Sequence, residues 1–440
     1  MTKTGRFKVA FLLLVLLQNL ALFGQRISVS GTEFRTEYGR IWLNGTNTPW
    51  NAWNDFGGNF DYDWWQSEFA ELSDLHINCT RVWITCDGSN KGIEIDNDGY
   101  VSGVSTLFWS QVDQLMEIAE TYEVYLMIAL ISFDHTKPGN PNASKWINMY
   151  NSEENRQSFV DNYVEPFVDR YKDNPYFFSI DVGNELDWVW ENHGVASSNV
   201  IDLISRVADT VKENSDVLVC QGLGAGIKYN TSARGGSGNY LANVNVDFYN
   251  THYYDWQNQW FGNPFDRSPS YYQMNEKPCI IGEAPANGSA GYSPQECYQK
   301  AFEQGWQGLM VWTSNGVDGN GDKMDSQPGT DWIYDNYPDL VDGIDTAVKD
   351  PINLDFKLCQ NYPNPFNPST KIEYDVKTPC KINLGVYNLN GQLVKKMVNS
   401  YQHPGAYSIN LNMQDSPSGM YLYKIHAGNF EEIRKMVKVE

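Results

Sequence analysis

The 440-residue sequence predicts a (β/α)8 TIM barrel followed by a small all-β, immunoglobulin-like sandwich. Three observations lead there. From about residue 27 to 348, short apolar runs alternate with amphipathic stretches, the signature of strands and helices in turn. Two of those runs end in a glutamate, Glu185 and Glu283. They stand 98 residues apart, close to three βα units of about 33 residues each. Near residue 349 the composition shifts to a proline-rich segment and then to short alternating runs. The predicted domains are therefore an export signal over 1–24, a barrel over 27–348, and a linker with a sandwich over 349–440.

The first element is the signal. Lys3, Arg6 and Lys8 form a basic start, and an apolar run follows from Val9 to Leu17. Gln18 and Asn19 interrupt it, which leaves it short for a membrane span, and cleavage is expected near Gly24. Strand-like runs then fall at 40–43, 80–85, 124–132, 176–182, 216–221, 246–252, 279–282 and 308–312. Helical spacing marks 64–75, 107–120, 158–171, 198–213 and 293–305, the first of them behind Asp61 and Asp63. An open doubly wound sheet is the alternative, and no Gly-x-Gly-x-x-Gly follows the first strand to favour it. Past residue 349, three prolines fall in the six positions from Pro363 to Pro368 and rule out regular structure. Alternating runs at 371–374, 382–387, 407–411 and 420–425, parted by Asn390-Gly391, Pro404-Gly405 and Ser418-Gly419, read as the sandwich.

The net charge of −22, with no basic stripe, argues against nucleic acid or an anionic membrane as partner. It fits an exported protein acting on a neutral or cationic substrate. The 15 Trp and 27 Tyr exceed what a core of this size needs, and surplus aromatics line clefts where sugar rings stack. Seven cysteines are too few for a disulfide framework at this length. Cys79/Cys86 and Cys359/Cys380 are possible pairs, whereas Cys79, Cys220 and Cys279 also read as buried thiols in apolar runs. Six histidines without a His-x-His cluster give no metal site, and no cofactor is expected. Asp318-Gly319-Asn320-Gly321-Asp322 echoes a calcium loop, but the glutamate such a loop needs is missing at Gly329. A flexible βα loop is the expectation. Asn142-Ala143-Ser144 is a glycosylation sequon without a clear role.

A carboxylate at the end of a buried strand costs desolvation and adds nothing to a core. Two of them on facing strands are the equipment for cleaving a glycosidic bond. Arg81, inside Thr80-Arg81-Val82-Trp83, needs an anionic partner and is placed to orient a carboxylate at a barrel mouth. Asn184 directly precedes Glu185, which calls for a distorted strand end if both are to face the mouth. Its amide suits a sugar hydroxyl. His252 and Tyr254 share one face by period two, within reach of both glutamates. Trp312 would floor the sugar site.

Taken together, Arg81, Asn184-Glu185, His252-x-Tyr254, Glu283 and Trp312 resemble the retaining β-glycoside hydrolases of family five, the cellulases and mannanases. That pattern places Arg on strand two, Asn-Glu on four, His-x-Tyr on six, Glu on seven and Trp on eight. The resemblance implies Glu185 as acid/base, Glu283 as nucleophile, and an endo-acting enzyme working by double displacement. Arg81 and Tyr254 would keep Glu283 ionised, and Glu283 with partial burial would raise Glu185. Many members carry a His near the end of strand three, and His135 lies just past that position. Asn44 to Trp50, with Trp64-Trp65, is similar to the mannanase branch. Trp188, Trp190, Trp256 and Trp260 are candidates for stacking on sugar rings. An endoglucanase, an exo-β-glycosidase, or a non-catalytic glycan-binding barrel remain alternatives. The Tyr362-Pro363-Asn364-Pro365-Phe366-Asn367-Pro368 segment and Ser418 to Tyr423 resemble the C-terminal sorting domain of type IX secretion. That implies secretion machinery as a partner, a secreted or cell-surface protein, and a polysaccharide substrate. A monomer is expected.

Overall fold

The computed structural model describes residues 26–439, except 90, 230–238, 344–356, 377–379, 390, 403–404, 415 and 428–429, and the side chains of 380, 401, 405 and 406. The expected signal over 1–24 lies outside the described residues. Two compact units are divided between residues 345 and 346. Among the described residues no helix is long and apolar enough to cross a membrane.

The first unit is a barrel of parallel strands: β1 (Leu43–Asn47), β2 (Cys79–Trp83), β3 (Tyr125–Ser132), β4 (Phe177–Asn184), β5 (Leu218–Cys220, resumed at Gly222–Leu223), β6 (Tyr249–His252), β7 (Cys279–Glu283) and β8 (Gly308–Trp312). The first part of β5 pairs with β4, and the second part pairs with β6. The single residue Gln221 between the parts closes the ring. Every residue of β1, β3, β4 and β7 is buried, and β3, β4 and β7 read as apolar runs with a few conspicuous polar exceptions. The first strand departs from expectation. Arg40–Ile41 joins a small antiparallel sheet with Ser28–Ser30 and Glu33–Arg35, and the barrel strand begins at Leu43. Asn44, Thr46 and Asn47 concealed that strand, because three of its five buried residues are polar.

Helices α1 (Tyr62–Asp74), α2 (Thr106–Tyr122), α3 (Glu165–Tyr171), α4 (Ser197–Asn214), α5 (Pro294–Glu303) and α6 (Lys323–Asn336) follow β1, β2, β3, β4, β7 and β8. Asp61 caps α1 by accepting from Trp64 N–H, and Trp65, Phe69 and Leu72 turn one face inward. Ser105 caps α2 and Ser293 caps α5 in the same way. The helix expected over 158–171 begins earlier, at Glu153, behind the Ser152 cap. Its middle is a widened turn over Val160–Val164. Pro166 explains this: it has no N–H to return to the preceding turn, and the wider turn absorbs the loss.

The second unit holds two antiparallel sheets. One joins β9 (Lys357–Leu358), β10 (Ser369–Val376) and β13 (Gly405–Asn412). The other joins β11 (Cys380–Tyr387), β12 (Leu393–Gln402), β14 (Gly419–Ala427) and β15 (Phe430–Lys438). Leu358, Ile372, Tyr374 and Leu411 from the first sheet meet Leu384, Tyr423, Ile425 and Met436 from the second in one core. Strands β12 and β15 were not legible: Lys395-Lys396 and Asn399-Ser400 break the alternation of β12, and β15 is rich in Glu, Arg and Lys. The proline segment is no strand, and it is tied down by bridges from Tyr362 to Lys371 and from Phe366 to Lys438. Cys79 and Cys86 are separate buried thiols, so that possible pair does not form and Cys79 is the buried thiol its apolar run suggested. Asn54 N–H donates to Cys86 Sγ at 3.4 Å and holds it away. The pairing of Cys359 falls on Cys380, whose side chain lies outside the described residues.

Candidate active site

The carboxyl ends of the barrel strands supply one polar layer. Arg81 on β2 is fully buried and uses every edge of its guanidinium. It donates to Asp181 Oδ2 on β4 (2.8 Å), Asn47 Oδ1 on β1 (3.1 Å), Glu283 Oε1 on β7 (2.7 Å) and Asn184 Oδ1 on β4 (2.9 Å). Arginine only donates, so the atoms facing it on Asn47 and Asn184 are oxygens, and the Asn184 NH2 is left toward the cleft. Asn47 turns its own NH2 onto Gly282 O of β7 at 2.9 Å.

Glu185 follows β4 directly, and its backbone takes φ = 50°, a left-handed turn unusual for a residue with a side chain. That turn sends its carboxyl to the same mouth as the Asn184 amide. The Glu185 N–H donates to Gly222 O at 2.9 Å, and this holds the turn against β5. His252 Nδ1 then lies 3.0 Å from Glu185 Oε1 and 3.4 Å from Glu283 Oε1. Ligand atoms of Glu185, His252 and Glu283 all fall within 4.8 Å of one another. Tyr254 O–H donates to Glu283 Oε2 at 3.0 Å. The same trio could receive a cation on distance alone, but Arg81 already delivers a positive charge to Glu283.

Protonation follows from this layout. Burial pushes Glu185 up to about 7. The Asp134 and Asp181 anions add to that, while Arg81 and the Trp188 indole pull the other way. Burial and the anions, not Glu283, therefore dominate at Glu185. Burial also raises Glu283, but His252, Arg81 and the Tyr254 hydroxyl all lower it again, so Glu283 holds its charge more readily than Glu185. Burial lowers His252 to about 4, and its imidazole is neutral at neutral pH. Asp187, buried behind Glu185, is pushed to about 7 by burial and by Glu185. It accepts from Gly224 N–H (3.0 Å) and Ala225 N–H (2.9 Å).

A cleft of about 470 Å3 lies over this layer. Glu185, Glu283, Asn184, Tyr254, Trp312, Trp188 and Trp256 line it, as the sequence led one to expect. His252 stands beneath, against both glutamates. Three other candidates lie elsewhere. Trp190 stacks on Tyr240, with ring centroids 5.8 Å apart and planes at 12°, and packs on the core. His135 is fully buried and contacts Thr85 Oγ1 at 3.2 Å and Ser132 O at 3.0 Å, which caps the end of β3. Trp260 is exposed and touches Trp256 edge-on at 5.6 Å.

The cleft also holds residues that the sequence did not assign to it. Trp50 sits 5.1 Å from Trp83, 6.0 Å from Trp312 and 4.7 Å from Trp53, forming an aromatic wall. Phe133, Asp134 and Lys137 come from the end of β3, and Asp318 and Asn320 from the loop after β8. Asp181 was legible in principle. It is a charged residue inside the apolar run Ile180-Asp181-Val182, the same anomaly that marks Arg81.

Residues 360–439 match the family described as the Secretion system C-terminal sorting domain. The chain is 26% identical over 342 residues to a mannan endo-1,4-beta-mannosidase of Mytilus edulis, covering 67% of this chain and 89% of that protein. A mannan endo-1,4-beta-mannosidase of Cryptopygus antarcticus is 23% identical over 350 residues, covering 70% and 89%. The X-ray structure of the β-mannanase from Mytilus edulis superposes with TM-score 0.61 at 23% identity, over 71% of this chain and 96% of that one. The Cryptopygus antarcticus β-1,4-D-mannanase gives 0.63 at 20% identity, over 70% and 94%. The barrel is thus similar in fold and sequence to endo-1,4-β-mannanases, and the C-terminal unit to secretion sorting domains.

Proposed function

We propose that the protein is a secreted, retaining endo-1,4-β-mannanase. One observation carries the reading: Glu185 and Glu283 bring oxygens within 4.8 Å of each other beneath an aromatic cleft. Inverting enzymes separate their carboxyl groups by roughly 6.5–9.5 Å to admit a water, and retaining ones by about 5–5.5 Å. The short separation supports direct attack. Glu283, ionised by Arg81 and Tyr254, attacks the anomeric carbon of the sugar resting on Trp312. The C–O bond to the leaving sugar breaks as Glu185 delivers its proton to that oxygen. A water then gives its proton to Glu185 and displaces Glu283, which restores both groups. His252 donates to the two carboxyl groups as a neutral imidazole, and the Asn184 NH2 offers a hydrogen bond to a hydroxyl beside the reacting carbon. The mannanase relatives favour mannan over other β-glycans as the polymer cut. The sorting domain sends the chain through the secretion machinery to the cell surface or beyond.

The test is Glu283→Ala. Turnover of mannan is expected to fall by at least about 10^4-fold, and added azide should restore it with an inverted glycosyl azide as product. An uninverted product, or near-normal turnover, would refute the nucleophile. Mannan, glucomannan, cellulose and xylan compared side by side, with product sizes read, check the substrate and the endo mode.

A further inference from the structure

The loop after β8 carries the calcium-like motif Asp318-Gly319-Asn320-Gly321-Asp322, and several of its oxygens are engaged by protein donors. Asp322 Oδ1 caps α6, accepting from Met324 N–H (2.8 Å) and Asp325 N–H (3.2 Å). Asn320 O accepts from Asn287 N–H at 3.0 Å. Asp318 Oδ2 accepts from the Trp312 indole N–H at 3.1 Å. The loop is tied at both ends to its neighbours rather than free. Ser314 N–H donates to Asn47 O (2.7 Å), Lys323 N–H to Ser314 O (2.9 Å), and Asn315 Nδ2 to Trp50 O (2.7 Å).

The result is a carboxylate held in fixed relation to one tryptophan. Asp318 is exposed, lines the cleft, and has no protein partner for Oδ1 among the described residues. The Trp312 backbone N–H donates to Ala284 O at 2.7 Å, just past β7, and fixes the residue beside Glu283. A sugar lying on the Trp312 ring would bring hydroxyls toward the ring edge where Asp318 stands. Hydroxyl to carboxylate is a charge-assisted hydrogen bond, stronger than a neutral one and directional. We propose that Asp318 is a substrate-reading residue: Oδ2 sets the plane of Trp312, and Oδ1 accepts a hydroxyl hydrogen of the sugar seated on it. Asn320 flanks the same edge and offers a second polar group. Manno- and gluco-configured sugars differ only in the direction of the C2 hydroxyl, axial in one and equatorial in the other, so a fixed acceptor beside the ring contributes to that choice. This rests on the glycanase reading above.

The experiment compares Asp318→Asn and Asp318→Ala with the parent chain on mannohexaose and cellohexaose, with melting temperature as the control for folding. In Asp318→Asn the amide oxygen still accepts the indole N–H, but the carboxylate for the sugar is gone. Both variants are expected to lose roughly ten- to hundredfold in kcat/KM on mannohexaose, and the preference over cellohexaose should narrow. Parent-like kcat/KM for Asp318→Asn beside a loss in Asp318→Ala would mean that the residue only props Trp312, which overturns the proposal. Parent-like values for both overturn it as well. If the parent cleaves neither hexamer, the glycanase reading itself has failed, a result distinct from either of these.

Discussion

Glu185 owes its behaviour to surroundings rather than to its own chemistry. A carboxyl group near 4.5 in water sits at about 7 here, first because it is buried and then because Asp134 and Asp181 are close. Glycosyl transfer in the proposed mechanism needs Glu185 protonated, so kcat/KM should fall tenfold per pH unit once pH exceeds about 7. Asp134→Asn removes an anion that resists the ionisation of Glu185. Its ionised form then becomes easier to reach, and the alkaline limb should move to lower pH. A pH–rate profile of the variant reads this directly, and an unmoved limb would leave burial as the whole cause. At this scale the sequence was most informative where a residue contradicts its strand. Arg81, Glu185 and Glu283 stand out as charges in apolar runs. Trp50 and Trp83 do not, because a tryptophan beside a strand reads equally well as core.

Strand β5 shows what an element must give up to serve the site. It is interrupted at Gln221, and Gly222 resumes it against Asp181, whose Oδ1 accepts the Gly222 N–H at 2.8 Å. A methyl group at Gly222 would lie 2.7 Å from Asp181 Oδ2 and 2.8 Å from His252 Nε2, closer than real side chains approach. Neither neighbour can yield, since one holds Arg81 and the other holds both glutamates. Gly222→Ala should therefore cost about 1–3 kcal/mol of stability, seen as a lower denaturation midpoint, together with a loss of kcat. Activity retained at full stability would show that β5 has slack. Strand β5 is also where the sequence spoke least clearly. The run at 216–221 suggested one unbroken strand, and nothing in Gln221-Gly222 announces the break that lets Asp181 and His252 meet. Strand β1 was misplaced for a related reason, since its inward Asn47 serves Arg81 rather than the core.

The whole chain joins two units with separate cores and separate signals. The barrel was legible because its helices carry regular apolar faces and proper caps, and because the two glutamates recur at a barrel interval. The second unit was legible through its turns and prolines, while its charged strands β12 and β15 escaped notice. Each unit has its own hydrophobic core, so a chain ending before residue 346 should keep its hydrolytic activity. In its native host, the same truncation should keep the enzyme inside the cell. Activity assays on the purified barrel and on culture medium check both halves of that statement. Loss of activity in the truncated chain would mean that the second unit contributes to the barrel's stability.

The sharing of Arg81 between Asp181 and Glu283 has a practical consequence. When Glu283 is replaced by a neutral residue, Arg81 keeps the buried carboxylate of Asp181, so that side of the barrel mouth is left with a matched ion pair instead of a stranded charge. On the proposed role of Glu283, the silent protein would retain its shape, its aromatic wall and its hydrogen-bonding groups. It would be a receptor for the polymer it no longer cuts, suited to trapping long sugar chains for crystallography or to staining them.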